Sequence, residues 1–440
     1  SDVTPAGAPR EGRWETVAPS TLVDGTAYAA NDGHYTGDAA PYVYVTHDFG
    51  KNWTKIVNGL PSDEWARTVR PDTRDRNLVY LGTEEGIWIS FDAGRTWQSF
   101  KNNLPTVSVH DIRIQPQLDD MVIATHGRAV YIMDDIRPIQ ELQQAIGRGN
   151  WLFTPRTSYE WTQHENDEGT YTNYAADNPP YGVMIYFYQK EKQKGNPSLE
   201  ILDSQGRVIR SVSGTHKVHG KDVPYITNKV GLNRYTWDFT VNGPVAWTGQ
   251  TNQLFADFTQ NNGPGVVPGE YSVRMTLGGH TSVAHFTVKP DPRSTFTMAD
   301  YRTSYNRAMG LMQQYSTVAV MLNNLDSLKK AIATALDAAK KANDTAQTSK
   351  LNDLETARAA LSDTLGTDVQ GEGTLQQNAL YQDMQTAYFG AQGLNTSNVL
   401  DYIGRVERDY HAGIDRYNAF VQTVKAANIP KVSIGEVQAR

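Results

Sequence analysis

Four side chains of this 440-residue sequence could take part in acid–base or ligand chemistry. Glu84 and Glu85 follow the short apolar run 78–81, and His126 and Arg128 follow the run 121–124. Glycoside hydrolysis requires two carboxyl groups roughly 5–10 Å apart, and a guanidinium group can clamp a carboxylate through two hydrogen bonds. Adjacent residues of a strand point to opposite faces, so Glu84 and Glu85 are not expected to converge, and solvated turn charges are the simpler interpretation. The four residues are candidate ligand-binding residues, and no catalytic residue is predicted.

Composition and motifs exclude several other chemistries. The chain has no cysteine, which removes thiolate nucleophiles, disulfides and cysteine metal sites. Its 10 histidines are scattered, and the nucleophile elbow, the zinc-protease helix motif and the phosphate loop are all missing. The acidic run 164–168 matches no calcium-loop spacing and is interpreted as a solvated loop. We therefore expect no metal and no cofactor.

The elements that must position the four candidates contain a repeat. Residues 46–53 and 90–97 share the pattern Ser/Thr-x-Asp-x-Gly-x-x-Trp, and their aspartates, Asp48 and Asp92, are 44 residues apart. A third, weaker copy ends at residues 133–135 without the glycine or the tryptophan. A period of about 40–45 residues with several short strands per unit is typical of a β-propeller blade.

The recurring residues of the motif are predicted to be structural. A hydroxyl and a carboxylate beside a tight turn accept backbone N–H groups, the glycine adopts a positive φ, and the tryptophan anchors the hairpin by burying its ring. These positions are Thr46, Asp48, Gly50 and Trp53 in the first copy, and Ser90, Asp92, Gly94 and Trp97 in the second. Asp48 and Asp92 are thus interpreted as turn residues and not as catalytic acids.

The motif resembles the Asp-box, or BNR repeat, of sialidases, xyloglucanase-type glycoside hydrolases and the luminal domain of sortilins. The run 123–135 resembles the closing blade of large bacterial secreted proteins described as sortilin-like or glycosyl-hydrolase-like. The resemblance implies a multidomain chain with partial β-propeller blades, then an immunoglobulin-like β-sandwich, then an α-helical bundle. Its specific motifs lie only between about residues 40 and 136, and none of the family's catalytic acids can be placed on this sequence.

The hydrophobic pattern divides the chain into the same three regions. Short strands separated by turn residues indicate propeller blades over 14–137. Longer strands and hairpin signals over 151–290 are typical of an immunoglobulin-like sandwich. From 297 to 430, apolar residues recur at three- and four-residue spacing, which predicts a helical bundle. A coiled-coil contact with a second copy or with the propeller is the alternative for this last region.

The aromatic residues of the second region allow two interpretations. If Trp237, Trp247 or Tyr271 were exposed, the sandwich could act as a carbohydrate-binding module. The favoured interpretation is that Trp237 and Tyr271 are core residues of a spacer domain. The polar stretch 241–267 is long enough to contact a neighbouring domain or a ligand.

Charge and hydropathy limit which partners and which cellular location are expected. The formal net charge of −7 and the isoelectric point near 5.8 argue against nucleic acid, which requires a basic surface. The longest strongly apolar run, 183–188, falls far short of the roughly 20 residues that span a bilayer. A cysteine-free chain rich in Tyr, Asn and Thr suits a bacterial protein that is secreted, periplasmic or on the cell surface, and the cytosol is the alternative that composition leaves open.

A closed propeller needs roughly four to eight blades, and two Asp-box units plus a partial third do not suffice. Because an open ring would expose strand edges, we expect the remaining blades on another chain or on a cleaved N-terminal part. The sequence is thus expected to be the C-terminal part of a secreted Asp-box propeller protein that binds or assembles with a glycan or a protein. One alternative is the non-catalytic end of a glycoside hydrolase whose catalytic blades lie outside this chain. The other is a structural cell-surface component.

Overall fold

The computed structural model of the chain describes residues 2–161, 179–218, 221–249, 263–366, 379–391 and 397–439. The acidic run 164–168 lies outside these residues, as do residues 250–262 of the polar stretch 241–267. No helix within the described residues has both the length and the apolarity that a bilayer crossing requires.

The first part of the chain forms three antiparallel sheets in which sequence neighbours pair, here called blades 1, 2 and 3. Blade 1 contains β1 (Arg13–Pro19), β2 (Ala27–Asp32), β3 (Tyr42–Thr46) and β4 (Thr54–Lys55). Blade 2 contains β5 (Ala66–Pro71), β6 (Val79–Thr83), β7 (Ile87–Ser90) and β8 (Gln98–Ser99). Blade 3 contains β9 (Val109–Gln115), β10 (Asp120–Thr125) and β11 (Val130–Met133). Such meanders are the units from which propellers are built.

Alternating side chains pack the blades face to face. Val43 and Val45 of blade 1 lie in one core with Leu81 of blade 2. Tyr80 and its neighbours on the opposite face of blade 2 form a second core with Met121 and other residues of blade 3. Because residues i and i+2 of a strand share a face, blade 2 supplies one row of apolar residues to each of the two cores. A 3-10 turn (His34–Thr36) follows β2, and two short helices, α1 (Arg137–Gln140) and α2 (Leu142–Arg148), follow blade 3.

The repeated motif closes the hairpin between the third and fourth strands of blades 1 and 2. Thr46 Oγ1 accepts a hydrogen bond from the N–H of Gly50 at 3.0 Å, and Asp48 Oδ1 accepts one from the N–H of Asn52 at 2.8 Å. The second copy repeats both bonds, between Ser90 and Gly94 and between Asp92 and Thr96. The hydrogen bonds from Asn52 hold the pKa of Asp48 down at about 2. The carboxylates of Asp48 and Asp92 are therefore engaged in hydrogen bonds within their own turns.

The two tryptophans of the motif make equivalent contacts. The buried Trp97 donates its Nε1–H to the carbonyl of Ile56 in the hairpin of blade 1, at 2.8 Å. Trp53 donates in the same way to the carbonyl of Val3, at 2.8 Å. The stretch that contains Val3 therefore contacts the Asp-box of blade 1 in the way that the hairpin of blade 1 contacts the Asp-box of blade 2.

Two further sheets and a hairpin follow. Residues 151–290 supply β12 (Trp151–Leu152), β13 (Ser158–Glu160), β14 (Val183–Gln189), β15 (Ser198–Leu202), β16 (Val208–Val212), β17 (Thr215–Val218), β18 (Lys221–Pro224), β19 (Gly231–Trp237), β20 (Gly269–Leu277) and β21 (His280–Pro290). One sheet has the order β12-β14-β19 and the other β13-β21-β20-β15-β16, while β17 and β18 form a separate hairpin. All strand pairs are antiparallel except β13 with β21, which run parallel. The immunoglobulin-like class stays a prediction.

The aromatic residues of this region are core residues. Trp237, Trp247 and Tyr271 are all buried, so the interpretation of these three as an exposed carbohydrate-binding surface is wrong. The Trp237 ring packs against Tyr271 and Phe286, and its Nε1–H donates to the carbonyl of Thr240.

The C-terminal region is helical, as the spacing of its apolar residues predicts. Its helices are α3 (Met298–Lys341), α4 (Thr345–Leu365), α5 (Leu380–Ala391) and α6 (Ser397–Ala427). Helix α3 begins at a capping box, in which the side chains of Thr297 and Asp300 each accept the backbone N–H of the other residue. Helix α3 packs against α4 and α5, and α6 packs against α4 and α5.

Candidate functional site

The first strand of each blade contains one extra residue at the same register. In blade 2, Ala66 lies opposite Thr83 and Thr68 lies opposite Gly82, so Arg67 has no partner across the ladder. The same shift occurs in β1 and β9, and the bulge residues of the three blades are Glu15, Arg67 and His110. Bulges redirect side chains and are frequent beside functional sites.

A second set of equivalent residues lies at the end of the second strand of each blade. The backbone N–H of Glu84 donates to the carbonyl of Trp65 at 3.1 Å, and the N–H of His126 donates to the carbonyl of Ser108 at 2.9 Å. By the same register Asp32 is their counterpart in blade 1. The three residues are therefore brought to the same end of the blades as the bulges.

Arg67 joins these positions across blades. It contacts the carboxylate of Asp32 in blade 1 through Nη1, and it donates from Nη2 to Glu84 Oε2 at 2.7 Å. Glu84 Oε2 also accepts a hydrogen bond from Ser108 Oγ of blade 3 at 2.8 Å. We call the polar residues gathered here the blade-end cluster: Asp32, His34, Arg67, Glu84, His110 and His126.

Burial decides which of these groups a ligand could reach. The Asp32 side chain is fully buried, whereas Glu84 is partly exposed. Burial alone would raise the pKa of Glu84, but hydrogen bonds from Arg67 and Ser108 outweigh it and lower the pKa. Partial desolvation, and then the nearby Arg67 cation, lower the pKa of His110. At neutral pH the accessible part of the cluster thus presents a carboxylate and an uncharged imidazole.

Aromatic rings flank the cluster. The His34 ring has its Nδ1 2.6 Å from Asp32 Oδ2 and its centroid 3.8 Å from that of Tyr35. The centroid of the Trp65 ring lies 5.3 Å from that of His34, and Tyr35 is 69% exposed. We call Tyr35, His34 and Trp65 the aromatic strip. A second ring pair, His110 and His126, is stacked at 5.2 Å.

A groove of about 430 Å³ runs along the first strands of the three blades. It is lined by residues 15–19, 70–71 and 112–114, with Thr21 and Thr73. The bulge residue Glu15 lies in this lining, so the groove begins at the residue that shares its register with Arg67. Within the described part of the chain, no group of three or more His, Asp or Glu side chains is arranged to hold a metal ion.

The four candidate residues that the sequence predicts fall into two groups in the structure. Glu84 enters the cluster, and His126 stacks on the bulge residue of its own blade. Glu85 is solvent-exposed and donates its backbone N–H to the Glu64 carboxylate, and Arg128 is exposed. Sequence reasoning missed the residues that complete the site, namely Asp32, His34, Arg67, Ser108 and His110. Three of them become apparent only from the strand register, because Asp32 shares its position with Glu84 and both Arg67 and His110 occupy the bulge.

Residues 41–205 match the family model Sortilin-Vps10, described as sortilin or neurotensin receptor 3, which is an Asp-box propeller family. The resemblance drawn from the repeated motif is confirmed for this segment. No curated protein sequence matches the chain.

Three solved structures of GH74 enzymes are similar to parts of the chain. The enzyme from Niastella koreensis is 13% identical with a TM-score of 0.24, over 62% of this chain and 38% of that one. The xyloglucanase from Xanthomonas campestris is 12% identical with a TM-score of 0.23, over 61% and 38%. An ancestral GH74 enzyme is 11% identical with a TM-score of 0.23, over 62% and 43%. The chain thus spans about two fifths of the length of these enzymes, and such low TM-scores carry no argument about its activity.

Proposed function

Starting from the sortilin-like Asp-box sequence of residues 41–205, we propose that this chain is the C-terminal part of a secreted bacterial propeller protein that binds a glycan at the blade-end cluster. The observation that carries the proposal is the aromatic strip, whose exposed Tyr35 ring stands beside the hydrogen-bonding groups of the cluster. The secreted location rests on the cysteine-free composition.

The chemistry of the cluster suits a sugar. A sugar ring has an apolar C–H face, which packs on an aromatic ring, and a rim of hydroxyl groups that both donate and accept hydrogen bonds. Tyr35 supplies the ring face. The Glu84 carboxylate accepts hydrogen bonds, and the uncharged His110 imidazole has one donor and one acceptor nitrogen.

The same residues argue for binding and against hydrolysis at this site. A general acid for glycoside hydrolysis needs a raised pKa, whereas the pKa of Glu84 is lowered. Asp32 is buried and held by Arg67, so a substrate cannot reach it. A hydrolase that contains this chain would therefore need carboxyl groups outside the cluster.

The test compares glycan binding by the full chain with binding by two variants on a glycan array, followed by titration of the best ligand. Tyr35→Ala is expected to weaken binding roughly tenfold, equivalent to about 1.4 kcal/mol, because it removes the stacking ring. Phe49→Ala, which removes an exposed ring on the Asp-box turn of blade 1, is the matched control and should leave affinity unchanged.

Equal losses in the two variants, or no glycan binding by the wild-type chain, would contradict the proposal. Release of reducing ends by the same protein would instead favour a hydrolase.

A further inference from the structure

We infer that the outer face of blade 3 is a docking surface for a further Asp-box blade that is not part of these 440 residues. The face consists of Arg113, Val122, Val130 and Ile132, and we call it the blade-3 face. The inference goes beyond ligand binding and uses no residue of the blade-end cluster.

The internal repeat provides the comparison. In blade 2, Arg70 pairs with Tyr80, and Tyr80 pairs with Ile89, so these three side chains form one row across the sheet. The corresponding row of blade 3 is Arg113, Val122 and Ile132. One row further along, Ile87 of blade 2 corresponds to Val130 of blade 3.

Equivalent positions differ sharply in burial. Tyr80, Ile87 and Ile89 are at most 2% exposed, because blade 3 packs on them. Val130 and Ile132 are 58% and 63% exposed. Two neighbouring aliphatic side chains at positions that another blade buries completely indicate a face that lacks its partner.

The arginine of each row shows the same difference in burial between blades 2 and 3. Arg70 donates to Asp111 Oδ1 at 2.6 Å and to the carbonyl of Ile112 at 3.0 Å, and both acceptors belong to blade 3. The side chain of its counterpart Arg113 is 70% exposed, and its salt bridge is to Asp111 on its own strand. A docked blade would offer Arg113 a carboxylate or carbonyl acceptor, as blade 3 does for Arg70.

The repeat also indicates what would cover the face. Blade 3 buries the blade 2 row with aliphatic side chains of its first two strands, among them Ile112, Met121 and Ile123. The occupant is therefore a sheet with the same aliphatic pattern on its first two strands, which describes a propeller blade.

A second copy of this chain does not fit that description. Among the three blades that the structure describes, blade 1 alone has a corresponding face that is not packed on another blade, and the residues Ala29 and Tyr44 of that face are already buried. The chain's own first residues lie on this face: Gly12 stands against the side chain of Asn31, and the carbonyl of Val3 accepts the Trp53 Nε1–H. A second copy would have to displace this stretch before its blade 1 could dock.

The test is site-specific photo-crosslinking in the organism that makes the protein. A benzoylphenylalanine residue placed at Val130 of the otherwise unchanged protein is activated by light, and mass spectrometry identifies the adduct. The expected adduct is a peptide from outside these 440 residues that lies in an Asp-box repeat. Adding Ile132→Lys should reduce its yield at least fivefold while leaving the unfolding midpoint unchanged, since Ile132 is exposed in this chain.

Benzoylphenylalanine at the exposed position Phe49 is the control and should not give the same adduct. The inference is overturned by an adduct with a second copy of this chain, by an adduct with a protein that lacks the repeat, or by no adduct at Val130. None of these outcomes bears on glycan binding, which is read from Tyr35.

Discussion

At the scale of single residues, one arginine of the blade-end cluster forms two ion pairs that have different roles. Arg67 pairs with the buried Asp32 of a neighbouring blade and with the partly exposed Glu84 of its own blade. The first pair is needed for stability, because an unpaired buried carboxylate is costly. The second pair orients a carboxylate that a ligand can reach. In the proposed function, ligand binding would thus be linked through one guanidinium group to the contact between blades 1 and 2.

The lowered pKa of Glu84 predicts how this link responds to pH. A carboxyl group whose pKa is lower in the folded state contributes stability above its unfolded pKa, and that contribution is lost as pH falls through the folded value. We expect wild-type protein to have a higher free energy of unfolding than Glu84→Gln at pH 7. The difference should shrink as pH falls below about 4, near the ordinary pKa of a glutamate. Urea denaturation at a series of pH values measures it.

Glu85→Gln is the matched control, because the neighbouring Glu85 side chain is exposed. Its difference from wild type should stay small and flat over the same range. A Glu84 difference that does not depend on pH would show that the lowered pKa contributes nothing to stability.

At the scale of elements, the Asp-box was predictable because its chemistry is local. The hydroxyl, carboxylate and glycine lie within five residues, and their hydrogen bonds do not depend on the rest of the fold. The third, weaker copy of the motif keeps the left-handed backbone at one position of the turn. Asp135 has a φ of 52°, close to the 60° of its counterpart Ala93.

The bulges were not predictable in the same way. Whether Arg67 or a neighbour is the extra residue depends on which residues of β6 lie opposite, and that register is set by packing between blades. The site therefore emerged from pairing partners that are distant in sequence, and two of the four sequence candidates, Glu85 and Arg128, fell outside it. The burial of Trp247 is equally non-local, because it is decided by a helix about 80 residues further along the chain.

The two motif glycines give a matched pair of substitutions. Gly50 and Gly94 have φ values of 83° and 89°, so alanine is strained at both, by about 1 kcal/mol. At Gly94 the new Cβ would also lie 2.5 Å from Cδ1 of Ile56, whereas at Gly50 the nearest atom, Cβ of Val3, is 3.5 Å away. We expect Gly94→Ala to lower the free energy of unfolding by about 1–2 kcal/mol more than Gly50→Ala. Equal losses in urea denaturation would mean that Ile56 moves aside without cost.

At the scale of the whole molecule, the second sheet region and the helices share one hydrophobic core. The stretch that follows β19 leaves the sheets and lies on α3. Its Trp247 donates the Nε1–H to Asp326 Oδ2 at 2.8 Å and places its ring edge-on to Tyr381 at 5.4 Å. Asn323 of the same helix donates to the carbonyl of Ala246. Two regions with different hydrophobic periods are therefore expected to unfold together.

Trp247 contacts the helices through both its Nε1–H and its ring, and its replacement tests the coupling. Trp247→Ala removes a buried ring and the partner of Asp326, so a loss of about 3–5 kcal/mol is expected. Hydrogen exchange read by mass spectrometry should then show α3 opening more readily than strand β14, whereas in the wild type both exchange at the same free energy. Trp247→Phe keeps a ring against Tyr381 but removes the hydrogen bond to Asp326. It should lower the exchange free energies of α3 and β14 equally, and by less than Trp247→Ala lowers that of α3. If α3 and β14 already exchange at different free energies in the wild type, the sheets and the helices are separate cooperative units despite their common core.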